Sequence, residues 1–384
     1  MAELQKGKSY VTITGVAKVG NNTFSGETTS ERTGYKYARV NLGIETEEGN
    51  IVYGEMMGGY SPAKPVIYAK NKEDNSPLQV NWADRLNEAI VDSVSDFKLH
   101  KVGLERSESG DLIIKKFLSA MDVHDYLKEH LKDGMTVTVK GSFGFSEYKG
   151  ETQRKFQIQS IFLAYQKKDE EGNLLPVDRK ASFVQTLLLN EDSFKKITKK
   201  DAEAGEVVIP AQAVDYVGKR DGKEIKKNLP FAVPITVKIN KENPEMTEKI
   251  LNALFNVKKG KVRELTIEGY IVEGYEKEEV SSKDIELSAE IKELIAMGLY
   301  SEEEARQKMT VRGNKVSKLV FTRPFLQKDK NDATKLKIDM DDEKYAPEDL
   351  FVQIDEPETN DALADLKDEG SAVDDNSWMS ALGI

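Results

Sequence analysis

Tyr35, Tyr37, Arg39 and Asn41 occupy alternate positions of a segment whose intervening residues, Ala38, Val40, Leu42 and Ile44, are small or aliphatic. Side chains of an extended chain alternate between two faces, so the aliphatic set turns to a core and the other set to solvent. Two phenol rings and a guanidinium on an open sheet face can stack on unpaired bases, at about 1–3 kcal/mol per base, and hold phosphates. Phe24, Arg32 and Lys36 lie in or beside the loop leading into this segment, and Tyr53 lies on the strand-like segment after it. Tyr148, Lys149, Arg154 and Lys155 repeat the mixture of rings and cations around a Lys-Gly turn. Segment 58–117 adds Tyr60, Lys64, Tyr68, Lys70, Lys72, Trp82 and Arg85, a candidate lid. A densely basic stretch, Tyr216, Lys219, Arg220, Lys223, Lys226 and Lys227, reads as a second track.

Other chemistries are thinly supplied. The chain has no cysteine and three histidines, His100, His124 and His130. That excludes disulfides, thiolate nucleophiles and zinc–thiolate sites. Asp215, Glu224 and Lys226 have the acid-acid-lysine order of metal-dependent nucleases, in which carboxylates hold Mg²⁺ and lysine assists the attacking water. They straddle an Asp221-Gly222 turn in a chain rich in Glu and Lys, so the pattern also arises by chance. The run from Asp339 to Glu343 fails as a calcium loop, because Lys344 stands where glycine is needed and Leu350 where glutamate is needed. No Gly-Lys-Ser/Thr phosphate loop is present. The expectation is a protein without catalytic residues, metal or cofactor, with the nuclease as the alternative.

A net charge of −11 argues against a phosphate-rich partner until its distribution is examined. Residues 339–384 hold 15 Asp and Glu against two Lys, a net of −13, which leaves 54 basic and 52 acidic residues before them, a net of +2. The acidity belongs to the tail, and a near-neutral body has room for a basic groove. No apolar run approaches the roughly 18 residues of a membrane span, and the first residues carry no apolar signal core. The reading is cytoplasmic, with no membrane partner.

The positioning elements follow from periodicity. Segments 10–19, 35–45 and 51–57 read as strands, 121–132 as a helix stopped at Asp133-Gly134, and 135–148 with 154–165 as a hairpin. Three strands, a helix and two strands is the order of the OB-fold, a five-stranded Greek-key barrel that binds oligonucleotides and oligosaccharides. The order returns: strands around 183–189 and 231–239, a helix capped by Asn243 with Pro244 in its first turn, then strands 262–275 and 315–325. The joins after the two helices are alike, Val137-Thr-Val-Lys-Gly141 against Leu265-Thr-Ile-Glu-Gly269. The fold class is therefore mainly β with helical insertions (α+β): two OB-fold-like five-stranded barrels in tandem and a disordered acidic C-terminal tail. The expected divisions are a first barrel at 1–165 with a long insertion at 58–117, a linker at 166–180, a second barrel at 181–338 with a helical insertion at 285–309, and the tail at 339–384.

The tail ends in an acidic pair, Asp374 and Asp375, followed by Trp378, Leu382 and Ile384. Apolar anchors on an acidic segment without a core have the makings of a docking peptide. Barrels, acidic tail and apolar tip together resemble the single-stranded DNA-binding proteins of bacteria and their phages. Two barrels with large insertions look more like a phage version than a compact bacterial one. Bacterial members usually end in Pro-Phe, whereas this chain ends in Gly-Ile. The resemblance implies coating of single-stranded DNA in replication, recombination and repair, inside the bacterial host. It further implies a tip that recruits a polymerase, helicase, primase or nuclease, and no small-molecule substrate. By position, Tyr35, Tyr37, Arg39, Tyr148 and Lys149 match the family's strand-face and loop contacts. An RNA-binding or purely scaffolding OB protein is the remaining alternative, because contacts to the 2′-hydroxyl leave no mark in a single sequence.

Overall fold

The computed structural model describes residues 2–31, 33–47, 49–220, 223–275, 288–297, 301, 315–329, 332 and 334–351. The folded unit that ends at Phe351 is mostly β. Its first half runs β1 (Ser9–Lys18), β2 (Thr28–Thr29), β3 (Lys36–Glu47) and β4 (Asn50–Tyr60). An insertion follows: β5 (Val66–Lys70), β6 (Pro77–Asn81), α1 (Glu88–Ser93), β7 (His100–Arg106) and β8 (Leu112–Phe117). The half closes with α2 (Ala120–His130), β9 (Thr136–Tyr148) and β10 (Glu151–Leu163). Alternation placed these strands well. Ala38, Val40, Leu42 and Ile44 are almost fully buried, as are Val11, Ile13, Val137 and Val139.

The pairings of the first half form a circuit. β1 lies antiparallel to β3 (Val16↔Glu45) and β3 to β4 (Arg39↔Met57). β4 runs parallel to β10 (Gly54↔Phe156), β10 antiparallel to β9 (Phe156↔Phe143), and β9 antiparallel to β1 (Val11↔Gly141), where the succession began. Segment 58–117 proves ordered. Hairpin β5–β6 and α1 enclose a small core of their own (Ala69, Val80, Val91, Val94, Leu99, Leu118), and β7 joins the main sheet beside β10 (Lys101↔Ser160).

The second half repeats the circuit with β11 (Lys180–Leu189), α3 (Lys199–Ala204), β12 (Glu206–Ile209), β13 (Gln212–Arg220), β14 (Lys223–Ala232), β15 (Ile235–Lys238), α4 (Pro244–Leu254) and β16 (Arg263–Tyr275). After them come α5 (Ala289–Ala296), β17 (Lys315–Pro324), β18 (Leu326–Lys328), β19 (Leu336–Ile338) and β20 (Met340–Asp341). Pro210 and Pro234, which lack a ladder N–H, fall between β12 and β13 and between β14 and β15, so each pair is one interrupted strand. β11 pairs with β13 (Leu188↔Gln212) and β12 with β15 (Ile209↔Ile235). β15 then runs parallel to β17 (Ile235↔Leu319), β17 pairs with β16 (Leu319↔Ile271), and β16 returns to β11 (Gly269↔Phe183). Gly141 and Gly269 hold the same place in the two circuits. A Cβ on either would collide with a carbonyl oxygen of the last strand, Gln157 or Val320, next to a bulge that inserts Gln159 or Thr322.

The halves share one sheet, because β1 pairs antiparallel with β11 through Val11↔Phe183. Two hairpins of the first half also reach the second. Around β9–β10, Phe145 stacks on Phe231 at 6.2 Å and donates its N–H to Asp215. Around β3–β4, Asn50 bonds the backbone of Ile271 and Glu273.

Two expectations change. Residues 339–351, assigned to the tail, belong to the folded unit. Asp342 takes a bidentate bond from Arg263, Tyr345 is buried, and buried Asp349 accepts from the Ala2 N–H at 2.6 Å. Acids counted as tail charge are partners of the body's cations. Helix α3 and strand β12 were not foreseen, since segments of six and four residues are too short to carry a clear period. Among the described residues, no helix is long and apolar enough to cross a membrane. Most of the insertion at 285–309 and all of 352–384, including Asp374, Asp375, Trp378, Leu382 and Ile384, lie outside the described residues.

Candidate nucleic-acid interface

Strand β3 presents one face to the core and the other outward. Outward stand Tyr37, Arg39 and Asn41, with Tyr35 just before the strand; all four are half-buried. The Tyr35 and Tyr37 rings are stacked, 6.2 Å between centroids and 19° between planes. Burial raises the Tyr35 hydroxyl pKa above the usual phenol range, against the opposing pull of the Gly59 backbone. Gly59 faces Tyr37 across the ladder, and any Cβ there would collide with the Lys36 carbonyl, so the two backbones meet closely under the rings.

The same face continues onto β4 and β10. Met57 lies opposite Arg39, Glu55 opposite Asn41, and Tyr53 opposite Gly43, whose missing side chain leaves room for the Tyr53 ring. Met57 and Tyr53 are 53% and 62% exposed, unusually open for large apolar groups on a strand. Gln157 stands next to Glu55 on β10, and Lys155 reaches Glu55 at 3.5 Å. Sequence reasoning missed Met57, Glu55 and Gln157, although the same alternation that fixed β3 puts Tyr53, Glu55 and Met57 on one face of β4.

Arg39 is the cation at the centre of this face. Among the described residues it has no carboxylate within 4.0 Å, its Nη2 lies 3.6 Å from the Met57 sulfur, and its buried Nε has no hydrogen-bond partner. An unmet donor of this kind costs about 1–3 kcal/mol in a folded protein. Both backbone polar groups of Arg39 are met by Ser25, so the strand itself is firmly held.

The other expected contacts divide. Tyr148 and Lys149 form the tip of the β9–β10 hairpin, with the Lys149 ammonium 5.1 Å from the Tyr148 ring. Lys149 and Gly150 have φ of 51° and 80°, the left-handed pair of a type I′ turn. Lys36 faces away from Tyr37 and is ion-paired with Glu27 at 3.2 Å. Phe24 bridges to Val40 and packs edge-on against His124 of α2 at 5.7 Å, because the loop after β1 is laid along the edge of β3. Trp82 stacks on Tyr60 at 4.4 Å and carries Arg85 at 4.2 Å, while Arg85 is fixed by Asp122. Its faces are engaged within the insertion. Arg154 is spent between the halves, on Glu273 at 2.6 Å and Ser317 at 2.9 Å. Arg32 and the Lys223 side chain lie outside the described residues.

The family comparison decides affiliation. The model of the YorF family matches residues 11–294, well over half of the 384 residues. The chain belongs to the YorF family. No curated protein matches this YorF-family chain. Among solved structures, it is similar to the wild-type single-stranded DNA-binding protein from Thermus aquaticus, with 11% identity, a TM-score of 0.30, and coverage of 70% of this chain and 87% of that one. A deletion mutant of the same protein gives 11% identity and a TM-score of 0.28, over 70% of this chain and 88% of its own. Likeness at that level carries no functional argument, so any such argument rests on this chain's own geometry.

In the YorF-family chain the basic stretch of the second half is largely neutralised. Lys219 and Lys226 are both paired with Glu224, and Arg220 with Glu147 of β9. The nuclease triad is dispersed as well. Asp215, 8% exposed, accepts from Lys6 and from the N–H groups of Phe145 and Tyr216. Glu224 lies opposite Lys219, four residues along β13 from Asp215, roughly 13 Å at the ordinary strand rise. Lys226 holds the Glu224 carboxyl below its usual range, and Glu224 holds the Lys226 ammonium above its own.

Proposed function

We propose that the chain is a non-catalytic binder of single-stranded DNA and that the strand crosses the outer face of β3, β4 and β10. The carrying observation is the stacked Tyr35–Tyr37 pair beside Arg39, a cation with no acidic partner among the described residues. Rings accept any base, so the face is tolerant of sequence, and an uncommitted guanidinium favours phosphate. Duplex DNA hides its bases and offers such rings nothing to stack on.

We read each circuit as an OB-like barrel, two in tandem with insertions. The strand succession and the parallel pairing of each third and fifth strand support that reading. The finer role is coating of single strands during phage DNA replication, recombination and repair. There the tip carrying Asp374, Asp375, Trp378, Leu382 and Ile384 docks replication proteins; its support is the composition of the tail.

Titration of intrinsic tyrosine fluorescence with oligo-dT tests the function. Quenching and affinity that weakens with salt are expected, with duplex of equal length binding far more weakly. Equal affinity for both forms, or none for either, overturns the proposal; competition by oligo-U reports any preference for RNA.

A further inference from the structure

The two circuits can be superposed residue by residue from their ladders alone. Phe156 and Leu319 are equivalent because each lies opposite the equivalent residue of the preceding strand, Phe143 or Ile271. Their parallel partners, Gly54 and Ile235, are then equivalent, and so are the partners of those, Leu42 and Ile209. A second route gives the same answer. Val16 and Leu188 lie on the paired first strands, and their partners Glu45 and Gln212 stand at the same offset as Leu42 and Ile209. Burial agrees, since Leu42 and Ile209 are both fully buried while their preceding neighbours face outward, Asn41 half-buried and Val208 54% exposed.

This register puts Glu206 where the first half has Arg39; β12 begins there, so helix α3, which ends at Ala204, stands in place of the stretch that carries Tyr37. The charge at the centre of the platform is reversed, and the ring is gone. Glu206 is held by Lys318 at 2.6 Å, and Lys318 is the counterpart of Lys155. The place of Tyr53 falls to Pro234. The second circuit keeps the glycine and the bulge of the first, so the architecture is retained where the binding chemistry is not.

What the second half does supply is a set of fixings for the first half's hairpin. Glu273 and Ser317 hold Arg154, Asp215 accepts the Phe145 N–H, Phe231 stacks on Phe145, and Arg220 holds Glu147, the neighbour of Tyr148. A two-residue turn at the end of a long hairpin sways unless its arms are held, and these contacts hold both arms.

Resting on the single-strand reading above, we infer that one chain takes one strand, on the first half alone. The second half is a brace that positions the Tyr148–Lys149 tip. Phosphate meets Glu206 where it would need an arginine, so a second strand finds no platform.

Native mass spectrometry of the full chain with a dT oligomer of about eight nucleotides, one OB-sized site, reads the stoichiometry directly. One oligomer per chain is expected at saturation. Two per chain, or two resolved phases in a titration, overturns the inference while leaving single-strand binding intact. Arg39→Glu, which writes the second half's residue into the first, is expected to abolish binding, and Glu206→Gln to leave it unchanged. Binding that survives Arg39→Glu and is then lost on adding Lys219→Ala and Lys226→Ala places the strand on the second half and also overturns it. No binding by the unaltered chain defeats the platform and this inference together. For the brace, Arg220→Ala should weaken binding several-fold through faster dissociation, with the loss absent when Tyr148 is already Ala. An equal loss in both backgrounds contradicts positioning through the tip.

Discussion

Replacing Arg39 by Met separates binding from folding. The methionine keeps an unbranched apolar stem beside Met57 and removes the guanidinium, including the Nε that has no partner. A hydrogen bond from a charged donor is worth about 1.5–3 kcal/mol, so loss of one phosphate contact should weaken oligo-dT binding about ten- to a hundredfold. The slope of log affinity against log salt should shrink by about 0.7, the share of one phosphate on a single strand. Stability should move the other way. Removing an unmet donor relieves a cost of about 1–3 kcal/mol, so the melting temperature should hold or rise. Fluorescence titrations at several salt concentrations, with a thermal melt of the same preparation, read all three quantities. Unchanged affinity and unchanged slope would refute the placement of phosphate at Arg39. A drop in melting temperature matching the loss in affinity would show that the guanidinium is structural.

Glu55→Gln removes the acid from the middle of the face and frees Lys155, so oligo-dT should bind about two- to fivefold more tightly at low salt, an advantage that fades as salt is added. Gly59→Ala drives a Cβ into the Lys36 carbonyl under Tyr37; a loss of about 1–3 kcal/mol should appear as a lower melting temperature, accompanied by weaker binding. Asp342→Asn tests the folding of residues 339–351. Arg263 holds the Asp342 carboxyl below its ordinary range, so the pair's stability is complete above a pH of about 4 and is lost as pH falls through the lower folded value. Melts of parent and variant should differ near neutral pH and converge toward pH 2; a constant gap would contradict the pairing.

Much of the platform was legible because it obeys one rule. Alternation on β3 is strict, so the buried Ala38, Val40, Leu42 and Ile44 fixed the outward direction of Tyr37 and Arg39. The same rule applies to Met57 on β4, which the sequence reading passed over. Cations resisted prediction because their fate depends on distant acids. Arg154 is claimed by Glu273 and Arg220 by Glu147, pairings between halves that no local pattern announces. Phe24 and Trp82 were misplaced for a related reason, since an aromatic residue in a loop reads alike whether it caps a helix or faces solvent. The repeat was visible as Gly141 and Gly269, but the difference in charge between its halves emerged only from the ladder register that sets Glu206 against Arg39. The tail charge misled at 339–351, where Asp342, Asp339 and Glu343 belong to Arg263, Lys8 and Lys261 rather than to solvent.

Photochemical cross-linking of the full chain to a dT oligomer carrying 5-iodouracil, read by peptide mass spectrometry, locates the bases themselves. Adducts on Tyr35, Tyr37 or Tyr53, joined by Tyr148 as the oligomer is lengthened, are the expected result. Adducts confined to the exposed Tyr216, Tyr10 or Tyr270, with the first set unmarked, would place the strand elsewhere and contradict the account.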